Sequence, residues 1–394
     1  MTDLNLIVRV AARGDGVTAD GRFAPLAAPG DRLLADGSVE PGPHHQPPPC
    51  RHFPECGGCQ LQHLDDASYA GFVRDRIANA LEGQGLPLPD FAPVHLSPPR
   101  TRRRASLSAQ RTGRRVLLGF RQERSHRIED MRECHILRPE LFALVEPLRG
   151  LLAALLPDKR SATVKMTWTD QGADLLLEGA SADTLAGAEA LTGFADRHGL
   201  ARLSLDDGFG PQTRWEPQPV TVTLSGTPVL LPHDAFLQAT ADGEAALVVA
   251  VREALGDAAV TADLFAGIGT FAFSLAGKLY AAEASRDAVL TLKSSGRGLF
   301  VEHRDLYRRP LSTAELNRFE AVVLDPPRAG AEAQAQQLAA STVPRIAYVS
   351  CNPASFARDA KLLVAGGYRL ARVTPVGQFR WSTHVELCAA FARG

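Results

Sequence analysis

Ala258-Ala259-Val260-Thr261-Ala262-Asp263-Leu264-Phe265-Ala266-Gly267-Ile268-Gly269-Thr270 runs from an apolar stretch into a turn with two glycines. The spacing predicts a strand over 258–265 and a helix opening at 271–276. The same rhythm continues outward. Apolar runs at 279–283, 321–325, 345–350 and 385–391 read as further strands, separated by helical patterns. Strand and helix in alternation make an α/β fold of the Rossmann-like, doubly wound type, with a mostly parallel sheet.

The turn itself suggests a ligand. Gly267 and Gly269 let backbone N–H groups approach a bound molecule at a helix amino terminus. Glu283 ends the next strand, where a carboxylate can accept hydrogen bonds from ribose hydroxyls. Gly267, Gly269 and Ala272 also satisfy the G-x-G-x-x-A pattern of dinucleotide folds. Asp263 would repel a pyrophosphate, however, and can hydrogen-bond a cofactor without phosphates. S-adenosylmethionine is therefore preferred to a dinucleotide. Asp325-Pro326-Pro327-Arg328 follows a later strand as a stiff loop at the carboxyl edge. Methylation of an exocyclic amine uses a similar loop with an aromatic residue after the prolines, and Arg328 in that place argues against amine chemistry.

Upstream the pattern changes. Residues 1–40 read as short strands with tight turns, in which Leu4, Leu6, Val8 and Val10 alternate as on a half-buried strand. They suggest a small, barrel-like β segment. Residues 41–49, PGPHHQPPP, form a stiff connector. A mixed α/β region follows, with helices expected at 69–81, 139–156 and 182–198. An Arg-rich hairpin at 105–120 and strands at 163–169 and 173–177 complete it. The expected domains are 1–40, 41–231 and 232–394.

Net charge is −1, so no global basic field advertises a polyanion partner. Arginines nevertheless crowd one segment: Arg100, Arg102, Arg103, Arg104, Arg111, Arg114, Arg115, Arg121, Arg124, Arg127 and Arg132. Such a cluster suits phosphate contacts better than a merely solvated face, because guanidinium forks match phosphate oxygens. No apolar run approaches membrane-spanning length, and the first residues do not resemble a signal peptide. The cytoplasm is expected, with no membrane and no obligate protein partner.

In a reducing compartment, six cysteines point to ligation or catalysis rather than to disulfides. Cys351 ends the strand-like run Ile346–Ser350 and is followed by Asn352-Pro353. Glu386 interrupts an otherwise apolar final strand, where a carboxylate is costly without a task. Either residue alone would pass as packing. Together, beside a methyl-donor turn, they suit methylation at a pyrimidine C5. A thiolate adds at C6, C5 becomes nucleophilic, and a base removes the C5 proton so that the thiol can leave. Cys388 faces the same side of the sheet as Glu386 and reads as packing. Cys50, Cys56 and Cys59 share one loop, and Cys134 can complete a set of four for Zn²⁺ or an iron–sulfur cluster.

With these residues in hand, the chain resembles the bacterial RNA (uracil-5)-methyltransferases, the 5-methyluridine-forming family, over nearly its whole length. The resemblance is carried by CRHFPECGGCQLQH, DLFAGIGTF, VVLDPPRAG, YVSCNPASFARD and THVEL. It implies a class I methyltransferase sheet. It implies Cys351 as nucleophile and Glu386 as base. Cofactor contacts are implied from Gln238, Phe265, Glu283 and Asp325, beside Gly267 of the turn, and Asp305 could reach the adenine. A [4Fe-4S] cluster on Cys50, Cys56, Cys59 and Cys134 is implied as well. Residues 1–40 are similar to the family's RNA-binding barrel, an OB-like module, but shortened. The cluster cysteines lean toward the ribosomal RNA branch, with tRNA as the alternative. RNA cytosine C5 methylation, or an RNA-binding protein without turnover, are the rival readings.

Overall fold

The computed structural model describes residues 3–123, 125–296 and 298–393. The chain forms two units, one of residues 1–47, 61–97 and 242–394, the other of residues 48–60 and 98–241. Arg124 of the arginine cluster lies outside the described residues.

The first unit is built on the strand-like runs seen in the sequence. They are β1 (Val260–Leu264), β2 (Lys278–Glu283), β3 (Phe300–His303), β4 (Ala321–Leu324), β5 (Arg345–Ser350), β6 (Tyr368–Gly377) and β7 (Glu386–Arg393). All four residues of β4 are buried, as are five of the six in β5. Strands covered on both faces read as continuous apolar runs for this reason. The sheet order is β3-β2-β1-β4-β5-β7-β6. The first five strands are parallel, whereas β7 inserts antiparallel between β5 and β6. Asp90–Phe91 and His95–Leu96 extend the edge beside β6. The helix Asp66–Gly83 packs on the helix Pro353–Ala365 and on β6. Its Tyr69, Phe72, Ile77 and Leu81 join Tyr348, Phe356 and Phe391 in one apolar core. This packing draws residues 61–97 into the first unit, although the sequence boundaries assign them to the middle region.

Two expectations in this unit need correction. The helix expected at 271–276 is a single 3₁₀ turn, Ala272–Ser274. Gly277, at φ +82°, reverses the chain into β2 at once, and a Cβ there would lie 2.4 Å from the Ala259 carbonyl oxygen. Near the amino terminus, Ile7 and Val10 are the buried residues, while Leu4 and Val8 are 57% and 49% exposed. An irregularity in the pairing of Ile7–Val10 with Gly16–Thr18 shifts the alternation between Ile7 and Arg9. The remainder of this segment is a small sheet, as expected, completed by Phe23–Ala24 and a separate pair, Arg32–Leu33 with Val39–Glu40.

The second unit holds a six-stranded sheet in the order Gln212–Trp215, Arg202–Asp206, Gly172–Glu178, Ser161–Thr169, Arg104–Thr112, Arg115–Gly119. The helices Val145–Leu155 and Leu185–Arg197 pack with it in a second apolar core. The helix expected over 139–156 breaks into Pro139–Phe142 and Val145–Leu155. Pro147 cannot donate to the Ala143 carbonyl, so an unbroken helix would lose a rung there.

Candidate active site

The turn after β1 is shaped by backbone conformation. Phe265, Gly267 and Gly269 all have positive φ, at 63°, 55° and 101°. A Cβ on Gly269 would meet the Phe273 ring at 2.3 Å, so packing demands glycine there. At Gly267 no atom lies within 4 Å of that position, which leaves open space beside the turn. Glu283, at the end of β2, accepts from Gly267 N at 2.9 Å and from Ser285 N at 2.6 Å. Asp263 is 1% exposed; its Oδ2 accepts from Ala272 N at 2.9 Å, and its Oδ1 has no hydrogen-bond partner. Burial and then the Glu283 charge push the Asp263 carboxyl up to about 7. An orphaned, buried acceptor beside an open turn fits a ligand rich in donors and positive charge. S-adenosylmethionine, with its ammonium, hydroxyls and sulfonium, has that chemistry.

Asp325 follows β4, and its amide donates to the Leu264 carbonyl at 3.2 Å. Burial, then the charges of Glu386 and Asp263, hold its carboxyl well above the usual range. The loop beyond it is fastened to the start of the helix Pro353–Ala365. Asn352 Nδ2 donates to the Arg328 carbonyl at 2.9 Å and Ser355 Oγ at 3.0 Å. Further along, Ala331 N donates to buried Asp359 at 2.6 Å.

Cys351 lies between β5 and Asn352, the residue capping that helix. In the β5–β7 ladder Val349 faces Cys388 and Ser350 faces Leu387. Cys351 and Glu386 are the residues that flank this last pair. Glu386 is 3% exposed, and burial pushes its carboxyl up to about 7 against a bond from Gln378 and the charge of Arg328. The Cys351 thiol is raised by burial, then by Glu386 and Asp325, whereas Arg328 works the other way. The Arg328 guanidinium rests on His384, with Nη2 2.5 Å from Nδ1. A cavity of about 560 Å³ opens at the opposite edge of the sheet, around Gly256, Thr261 and Gly277, away from all these groups.

Known proteins share this arrangement's sequence. The family described as tRNA (uracil-5-)-methyltransferase matches residues 300–393, which contain both Cys351 and Glu386. An uncharacterized RNA methyltransferase of Zymomonas mobilis is 51% identical over 393 residues, covering 98% of this chain and 99% of the relative. A 23S rRNA (uracil(1939)-C(5))-methyltransferase of Pectobacterium atrosepticum is 32% identical, covering 90% of this chain and 81% of the relative. The chain belongs to the RNA (uracil-5)-methyltransferases. The fold agrees. A tRNA (uracil-54, C5)-methyltransferase from Pyrococcus abyssi, solved with S-adenosyl-L-homocysteine, superposes with a TM-score of 0.77 at 21% identity. That likeness covers 98% of this chain and 99% of the other.

In this RNA (uracil-5)-methyltransferase, Phe265, Gly267, Glu283, Asp325, Cys351 and Glu386 all sit at the carboxyl edge of one sheet. Gln238 belongs to the second unit, where it is 1% exposed and its carbonyl accepts from Arg103 Nε at 3.0 Å. Asp305 lies two residues beyond β3, with its side chain 41% exposed. Its Oδ1 accepts from Tyr307 N at 2.9 Å and Arg308 N at 3.3 Å, closing the turn after β3. Cys50, Cys56, Cys59 and Cys134 lie in the second unit, and no disulfide joins any of the six cysteines. No group of three or more His, Cys, Asp or Glu among the described residues is arranged to hold a metal ion. Several arginines of the cluster serve the fold itself. Arg104 donates to the Leu237 carbonyl at 2.9 Å, and Arg111 to those of Ala153 and Leu156 at 2.6 and 2.5 Å. Arg114, Arg115, Arg121 and Arg127 stay exposed.

Asp359 escaped the sequence reading. It pairs with Arg358 at 2.7 Å and accepts from Tyr348 Oη at 2.6 Å. A signal was there, since Phe356, Asp359, Ala360 and Leu363 share a helical stripe and one of them is charged.

Proposed function

We propose that this methyltransferase acts through a covalent bond between Cys351 and uracil C6, with Glu386 as the base that removes the C5 proton. The observation that supports this reading is the β5–β7 register, whose last pair, Ser350 with Leu387, is flanked by the half-buried thiol of Cys351 and the buried carboxyl of Glu386. S-adenosylmethionine, when bound, supplies an electrophilic methyl group. Phe265, Gly267, Glu283 and Asp325 would hold it, together with the orphaned oxygen of Asp263. The Cys351 thiol gives its proton to solvent, favoured by the charge of Arg328. Its sulfur then bonds C6, and the C5–C6 π electrons move onto C5 and O4. After C5 is methylated, Glu386 takes the C5 proton, the C5–C6 double bond reforms, and the C6–S bond breaks to return the thiolate. The target base must be unstacked to expose both faces of its ring.

The substrate proposed is ribosomal RNA, on the strength of the 32% identical relative named for 23S rRNA. Cys50, Cys56, Cys59 and Cys134 would hold a [4Fe-4S] cluster. Their chemistry fits, since Leu137 N already points at Cys134 Sγ at 3.5 Å and backbone groups also reach Cys50 and Cys56. Cluster thiolates accept such N–H groups. Work in the cytoplasm accords with this set of thiols. Mapping 5-methyluridine in ribosomal and transfer RNA from a deletion strain tests the substrate. One uridine should lose its methyl in ribosomal RNA. Loss in tRNA alone would replace this reading with the tRNA one, and loss of 5-methylcytidine would overturn the base assignment.

A further inference from the structure

One side chain at the sheet edge has no place in the chemistry above. Tyr307 follows β3, in the turn that Asp305 closes by accepting from its amide. Its hydroxyl donates to the Gly330 carbonyl at 3.0 Å, in the loop after β4. Its ring stands against the Phe265 ring, with centroids 5.5 Å apart and planes tilted by 58°.

The strand order gives this contact its meaning. β3 and β4 are three positions apart, with β2 and β1 between them, so roughly 14 Å separates them. Contacts from Tyr307, just after β3, to Phe265 at the end of β1 and to Gly330 after β4 therefore cross the end of β1. The order reverses between β1 and β4, and the crevice at such a switch point is where open α/β sheets bind ligands. Tyr307 remains 49% exposed, so core packing does not account for its position. Gly330 is itself fixed: φ is +80°, and a Cβ would meet Asp359 Oδ2 at 2.6 Å. The loop it ends carries Arg328, whose charge reaches Cys351.

We infer that Tyr307 is a positioning residue that spans the cofactor crevice: its ring, with Phe265, walls the S-adenosylmethionine site, and its hydroxyl holds the Arg328 loop against Cys351. The inference rests on the cofactor site described above, but not on the identity of the RNA or on the covalent step.

Two substitutions separate the ring from the hydroxyl. S-adenosylmethionine affinity is measured by titration calorimetry on the full chain. Alkylation of Cys351 by iodoacetamide is followed against pH by mass spectrometry of its peptide. Tyr307→Phe should bind the cofactor within about two-fold of the parent, because the ring remains. Tyr307→Ala should bind about ten-fold more weakly, the scale of a lost aromatic contact. Both should slow alkylation of Cys351 near neutral pH by about three- to five-fold, the scale of one hydrogen bond, with the pH profile moved upward. A merely structural tyrosine would change melting temperature without separating these two readouts. Cofactor affinity in Tyr307→Ala equal to the parent's would overturn the wall. An unchanged Cys351 profile in Tyr307→Phe would overturn the clasp. Neither measurement uses RNA, so failure of the covalent mechanism would leave both results readable.

Discussion

The sheet edge of the first unit and the thiol loop of the second were equally conspicuous in the sequence, yet the fold treats them differently. At the sheet edge, Asp325, Cys351 and Glu386 each directly flank residues held in the paired strands β4, β5 and β7. Cys50 and Cys59 lie instead in irregular loop and Cys56 in an isolated bridge to Gln122, tied by single bonds such as Cys56 N to the His52 carbonyl at 2.8 Å. A site mounted on strands holds its geometry through the fold. A site mounted on a loop takes much of its geometry from what it binds.

The sharpest test of that contrast is Cys351→Ala. It should abolish methyl transfer to RNA while leaving S-adenosylmethionine affinity unchanged by calorimetry; surviving transfer would show that the strand-mounted thiol is not the nucleophile. Glu386→Gln should slow turnover by about 10²- to 10⁴-fold and let a protein–RNA adduct accumulate on a denaturing gel. If no adduct forms while Cys351 is intact, the carboxyl is not the base. For the loop, Cys134→Ser in anaerobically purified protein should lose bound iron and the brown absorbance, and the chain should melt several degrees lower. Its cofactor affinity should stay within about two-fold of the parent. A colourless parent containing stoichiometric zinc would refute the cluster.

The smallest effect concerns pH. Burial raises Glu386 from 4.5 to about 7, so the folded chain holds that proton more tightly than the unfolded chain. The associated stability is complete below the unfolded value of 4.5 and disappears as pH rises through about 7. Glu386→Gln carries no charge to bury. It should melt about 2–4 °C above the parent near pH 8, with the gap closing toward about pH 5. Methyl transfer by the parent should rise through about pH 7, as the base ionises. A flat melting difference would mean that the carboxyl is not desolvated in solution.

Much of this was legible beforehand. The strand at 345–350 and the final strand appeared where expected, with Cys351 and Glu386 at their ends. The insertion of β7 antiparallel beside β5 was not legible, because alternating strands and helices imply parallel neighbours. The turn that Asp305 closes was not legible either, because an aspartate closing a turn and one facing a ligand look alike in sequence. The bonds of Arg104 and Arg111 to carbonyls far along the chain were not legible in the cluster either.

Sequence alone determined the strand runs, the glycine turn and the order of the motifs, because each is a local property of neighbouring residues. Tertiary structure alone decided that β7 pairs with β5, that Asp263 and Glu386 are buried, and that Tyr307 meets both Phe265 and Gly330. Those depend on burial and on pairing between segments distant in the chain, and no local pattern encodes them.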